Sequence, residues 1–125
     1  SYLKTLKVPA KTFPTTGQDA TLTGLQNVLA GYQCGTVYKA IYLEAQASAA
    51  LAIYLASGTQ PPAALINGKT PDSQAKIDVP SVLLTPLWVT SATMAKTVVK
   101  DGFVDAKKLC AGALAKACAA ADIKP

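Results

Sequence analysis

The spacing of apolar residues predicts several helices along the chain. Between residues 20 and 30, apolar side chains recur every third or fourth position, and Gly31 ends the run. The clearest helix is predicted over 41–57, a stretch rich in Ala and Leu with Gly58 at its C-terminal cap position. Further helices are expected at 92–101, after a Thr90 or Ser91 cap, and at 113–121, with a short turn at 105–109 between them.

Short runs of β-forming residues lie between these helices. "TFPTTGQD" (12–19) and "QCGTVYKA" (33–40) each predict one strand, and "VPSVLLTPLWVT" (79–90) predicts two strands divided by Pro86. Residues 57–79 mix prolines, glycines and polar residues and are expected to form a long loop. The alternation of strand and helix predicts an α/β fold with a mostly parallel sheet flanked by helices.

Two charged residues stand at the ends of predicted strands. Asp19 ends the first strand and Lys39 ends the second. The carboxyl ends of parallel strands meet at one edge of a sheet, where ligands bind, so the pair is a candidate site. Two structural alternatives stay open: Asp19 stands where an N-cap is favoured, and Lys39 could be an ordinary surface lysine.

Charge and composition exclude several classes of function. The net charge of +5 comes from twelve scattered lysines with no arginine, so nucleic-acid binding is not expected. The chain has no histidine and its acidic residues are spread singly, which disfavours an enzyme. No metal-ligand spacing and no nucleotide-binding loop occur, so no metal and no cofactor are expected.

The three cysteines and the lengths of the apolar runs indicate in which cellular compartment the protein is expected. Cys110 and Cys118 would lie about 12 Å apart on one unbroken helix, but Gly112 allows a break and hence a candidate disulfide, which would imply an exported protein. Cys34 is expected to be a buried thiol. No segment is long and apolar enough to predict a membrane span, and no signal-peptide pattern heads the sequence.

The blocks "GQDA", "TVYK" and "PSVLLTP", in this order and spacing, resemble the C-terminal part of the xylose type of ABC-transporter sugar-binding proteins. The resemblance runs from about Pro14 to Phe103 and leaves the tail unmatched. It implies the type I periplasmic-binding-protein fold, in which two α/β lobes close on a sugar. It also implies that Asp19 accepts hydrogen bonds from sugar hydroxyls and that Lys39 donates to them, with Gln18 supporting the loop.

The same resemblance implies how the chain is divided. Residues 1–38 are expected to belong to the C-terminal lobe, and residues 39–81 to a hinge crossing and a piece of the N-terminal lobe. Residues 82–125 are expected to cross back to the C-terminal lobe. Trp88, a candidate sugar-stacking ring, is interpreted as packed core.

The resemblance also implies the partners of the protein. They are a monosaccharide, xylose or a related aldopentose, a membrane ABC permease, and the missing N-terminal portion of the same protein, with domain-swapped self-association as the fallback. The expected location is exported, either periplasmic or extracellular and lipid-anchored. The alternative function is a sugar-sensing module of a signalling or regulatory protein.

Overall fold

Short strands and helices alternate in the computed structural model, which describes residues 2–125. The helices are α1 (Tyr2–Thr5), α2 (Leu22–Leu29), α3 (Ile41–Ala56), α4 (Ala106–Leu109) and α5 (Ala115–Ala120). The strands are β1 (Thr16–Gln18), β2 (Gly35–Tyr38), β3 (Gly68–Asp72), β4 (Ile77–Ser81) and β5 (Leu87–Val89), and single 3-10 turns occupy Met94–Lys96 and Gly112–Leu114. The fold class is α/β, as the pattern predicts.

The chain divides into two units. One comprises the residues up to Lys39 together with Pro86–Pro125, and the other comprises Ala40–Thr85. The derivation of these units from two lobes of a larger protein stays a prediction.

A three-stranded sheet of order β1-β2-β5 organises the first unit. β1 runs parallel to β2, with Gln18 opposite Val37, and β5 runs antiparallel to β2, with Leu87 opposite Tyr38. The sheet is therefore mixed. The connection from β2 to β5 is the whole second unit, and no crossover helix within the first unit brings the chain back in the parallel sense.

The core of the first unit lies between this sheet and α2. Helix α2 contributes the buried Leu25 and Val28, one turn apart on one face, and the sheet contributes the buried Tyr38 and Val89. The other buried apolar residues of this unit are Ala20, Met94, Val98, Leu109, Cys110, Cys118 and Ile123. Burial of these side chains stabilises the sheet and so holds in place the edge at which β1 and β2 both end.

The second unit contains α3 and a hairpin of β3 and β4. The prediction of a long loop over 57–79 is wrong, because β3 and β4 pair antiparallel from Gly68 opposite Ser81 to Asp72 opposite Ile77. The Asp72 carboxylate accepts hydrogen bonds from the N–H groups of Gln74 and Ala75 and closes the turn. Prolines in both strands obscure the pattern, but a two-stranded sheet has edges on both sides that tolerate them.

Helix α3 has no buried residue, although it is apolar on all sides and carries a single charge, Glu44. Its exposed large side chains are Ile41, Tyr42, Leu43, Ile53 and Leu55. A helix that is hydrophobic all round is ordinarily enclosed by other parts of a protein.

The predicted helix over 92–101 is wrong apart from one 3-10 turn. Threonine side chains bond to the backbone there: Thr93 Oγ1 accepts the Thr90 N–H at 2.9 Å, and Thr97 Oγ1 donates to the Thr93 carbonyl at 2.9 Å. Such local bonds and the β-branched run 97–99 compete with helix formation.

Two further predictions about burial are wrong. Cys34 is exposed, because it lies in the turn before β2 and outside the strand. Trp88 is 48% exposed and is not packed core. Its ring nevertheless lies over Gly35, where an added Cβ would approach the ring to 2.5 Å.

Candidate functional site

Asp19 and Lys39 meet at the edge of the sheet where β1 and β2 end. Their side chains form an ion pair, with Lys39 Nζ 2.8 Å from Asp19 Oδ1. The parallel register explains the meeting, since Gln18 and Val37 lie side by side and the two charged residues follow directly. Gln18, the last residue of β1, is exposed at the same edge.

The backbone after β1 turns sharply and directs Asp19 out of the sheet. Asp19 has a φ of +71° and Ala20 a φ of +46°, conformations that residues other than glycine seldom adopt. The turn is held by the buried Ala20, whose N–H donates to Thr36 Oγ1 at 3.2 Å. Strained backbone of this kind persists where the surrounding structure enforces it, and it clusters at binding sites.

The N-cap alternative for Asp19 is wrong. Helix α2 begins at Leu22, and its N-cap is Thr21, whose side chain accepts the Gly24 N–H at 3.2 Å. The Asp19 carboxylate is ion-paired with Lys39 instead.

The position of Lys39 is set by the residue before it. Tyr38 is buried, and its hydroxyl donates to Asp101 Oδ2 at 3.1 Å while its ring packs on Phe103 at a centroid distance of 4.8 Å. Since neighbouring side chains alternate along an extended chain, Lys39 leaves the opposite side. The Lys39 side chain is 37% exposed and the Asp19 side chain 63% exposed.

The chemistry of this pair suits a ligand rich in hydroxyl groups. A carboxylate accepts hydroxyl protons and an ammonium donates to hydroxyl oxygens, and charged partners make such hydrogen bonds stronger. An ion pair this exposed stabilises a fold by at most about 1 kcal/mol. Its contribution to folding is therefore small.

Asp19 also lines a cavity of about 330 Å³. One wall is the β1–α2 connection, Asp19 to Leu22, and the other is formed by Phe103, Val104, Asp105 and Lys108. Sequence reasoning missed this second wall, because most of it lies in the tail beyond the recognised motifs.

A disulfide joins Cys110 to Cys118 in the tail, with Cα atoms 5.8 Å apart. Cys110 follows α4, the chain turns at Gly112 with a φ of +63°, and Cys118 lies on α5. The break at Gly112 brings the two cysteines closer than one unbroken helix would allow.

The described residues lack two kinds of feature. They contain no group of three or more side chains able to hold a metal ion. Nor does any of their helices combine the length and the hydropathy that a membrane span requires.

Known proteins with sequences similar to this chain include periplasmic sugar receptors. No protein-family model matches the chain. It is 45% identical to the D-xylose-binding periplasmic protein of Escherichia coli over 89 residues. The matched region covers 70% of this chain and 25% of that protein. It is 32% identical over 94 residues to the multiple sugar-binding periplasmic receptor ChvE of Rhizobium radiobacter, covering 75% of this chain and 26% of that receptor.

A solved structure that resembles this chain is also that of a carbohydrate-binding receptor. The carbohydrate transporter solute-binding protein of Chloroflexus aurantiacus, in complex with D-glucose, matches with a TM-score of 0.66 at 27% identity, over 74% of this chain and 26% of that one. The chain thus spans about a quarter of the length of the relatives it matches. Over about 70% of its length it is a homologue of the periplasmic sugar-binding receptors, as its motifs indicate.

Proposed function

We propose that the chain forms part of an exported receptor that captures a sugar for import by an ABC transporter, without catalysis. The observation that carries this proposal is the Asp19–Lys39 pair, an acceptor and a donor 2.8 Å apart at the sheet edge where α/β proteins bind ligands. Its relatives' names support the class of ligand, since they describe D-xylose-binding and multiple-sugar-binding periplasmic proteins.

The sugar we propose is xylose or a related aldopentose. The higher identity to a D-xylose-binding protein supports this choice. Asp19 would accept from two hydroxyl groups and Lys39 would donate to the same edge of the sugar, with Gln18 supporting the loop between them. A ligand that lacks the matching hydroxyls leaves these charged groups without full partners and is bound less tightly.

Saturation-transfer NMR on the purified protein tests this function, because it detects weak binding. We expect magnetisation transfer to D-xylose and none to an equal concentration of L-leucine, a solute of similar size without the polyol edge. In competition, D-xylose should displace D-glucose at about a tenfold lower concentration. Equal transfer to both solutes, or none to any aldopentose when the protein is studied together with the rest of its receptor, would contradict the proposal.

We further propose that a receptor of this kind needs more chain than these 125 residues, and that the rest encloses α3. Support comes from the exposed apolar surface of α3 and from the quarter-length coverage of the relatives. The sugar site would then combine Asp19 and Lys39 with groups from the remaining portion. Domain-swapped self-association is the fallback, in which a second copy covers α3.

Native mass spectrometry before and after denaturation tests this arrangement. We expect an assembly heavier than 12.9 kDa that releases this chain on denaturation. The mass of the companion distinguishes a larger portion of the receptor from a second copy. A monodisperse, folded 12.9 kDa monomer would rule out both arrangements.

A further inference from the structure

The cavity beside Asp19 has a second wall with its own chemistry. Phe103 and Lys108 line it opposite the β1–α2 connection, and the whole cavity measures about 330 Å³. A cavity of this size accommodates a small polar ligand together with a few waters.

Several bonds hold the backbone of this wall in place. The Asp105 carboxylate caps α4 by accepting the N–H groups of Lys107 and Lys108, at 2.8 and 3.4 Å. The Lys108 carbonyl accepts the Gln26 side-chain amide at 3.3 Å, which ties α4 to α2. Two residues further on, Cys110 is bonded to Cys118. The base of the Lys108 side chain is thereby fixed next to the cavity, while the ammonium group stays exposed.

Phe103 is also fixed. Its ring packs on the buried Tyr38, whose hydroxyl donates to Asp101. The Phe103 side chain is still 37% exposed. A fixed, partly exposed aromatic ring offers an apolar surface to the C–H groups of a bound ligand.

The charges around the cavity are balanced. Asp19 is paired with Lys39, and the Asp105 carboxylate, committed to the α4 cap, opposes Lys108. Because each carboxylate has a cationic neighbour, the cavity has no excess charge to attract an ion, so a ligand without net charge is favoured over an anion such as a sugar acid.

We propose that Phe103 and Lys108 are specificity-determining residues that, together with Asp19, select a neutral polyhydroxylated ligand. Lys108 donates to a ligand hydroxyl, and Phe103 covers an apolar face of the same ligand. This inference rests on the proposed sugar-binding function and adds a second wall to its site.

The test measures the affinity of the purified protein for D-xylose by NMR titration in four variants. We expect Lys108→Met to weaken binding about tenfold and Phe103→Leu about threefold or more, since each removes a contact to the ligand. The matched control, Lys116→Met, removes an exposed lysine from α5 and should leave the affinity unchanged. The fourth variant, Asp19→Asn, reports on the proposed site itself. Wild-type protein should also bind D-xylose more tightly than the anion D-xylonate.

The outcomes separate the two proposals. If Asp19→Asn weakens binding while Lys108→Met and Phe103→Leu do not, or if D-xylonate binds more tightly, the second wall takes no part and this inference is overturned. If the wild-type protein, together with the rest of its receptor, binds neither ligand, the proposed function fails and the inference with it. Because Lys108 is exposed, its variant should keep the unfolding midpoint of the wild type, which excludes loss of the fold as a cause.

Discussion

Replacing Asp19 by Asn is expected to weaken D-xylose binding by ten- to a hundredfold, or about 1.5–3 kcal/mol. The substitution removes a negative charge and one acceptor oxygen while keeping the size of the side chain. Asn also adopts positive φ more readily than most residues, so the backbone at +71° can be kept. The affinity is measured by NMR titration of the purified protein with the sugar.

The control for this variant is Asp78→Asn, which removes an exposed carboxylate from β4 in the other unit. It should bind D-xylose as the wild type does. Both variants should unfold in urea within about 1 kcal/mol of the wild type, because the Asp19–Lys39 pair is exposed. Equal binding by Asp19→Asn and wild type, or equal losses in both variants, would show that Asp19 is not a ligand residue.

Removing the disulfide, by Cys110→Ser with Cys118→Ser, is expected to lower the free energy of unfolding by about 2–3 kcal/mol. The bond closes a short loop, with a sequence separation of 8, so it restricts the unfolded chain. Both cysteines are nearly fully buried, and the serines would bring hydroxyl groups into the core. Urea unfolding followed by circular dichroism measures the loss.

Dithiothreitol supplies a second readout for the disulfide. It should destabilise the wild type, by less than the double substitution does because buried thiols cost less than buried hydroxyl groups, and leave the double variant unchanged. The matched control is Cys34→Ser, which alters an exposed cysteine outside the bond and should change stability by less than about 0.5 kcal/mol. A wild type whose unfolding is insensitive to the reductant would mean that the bond does not contribute to stability.

Local sequence pattern predicts much of the fold. Helix α3 and strand β2 lie close to their predicted bounds, because a long Ala- and Leu-rich run and a β-branched run each favour one state. The β3–β4 hairpin could not be read from pattern, since Gly68, Pro71 and Pro80 are as typical of loops as of edge strands. The region 92–101 has helical spacing, but threonine-to-backbone bonds decide its conformation.

Only part of the candidate site can be predicted from local sequence pattern. Asp19 and Lys39 each follow a strand, so parallel pairing alone brings them together. The bond from the Ala20 N–H to Thr36 Oγ1 and the wall containing Phe103 and Lys108 depend on tertiary packing. A lysine in an unmatched tail has no local signal that places it beside Asp19.

A crystal structure of the protein grown with D-xylose measures the sugar site most directly. We expect sugar hydroxyl oxygens within hydrogen-bonding distance of both the Asp19 carboxylate and Lys39 Nζ, at about 2.6–3.2 Å. A structure in which the sugar is bound elsewhere, or in which saturating D-xylose leaves Asp19 and Lys39 bonded to each other with no sugar between or beside them, would contradict the proposed function.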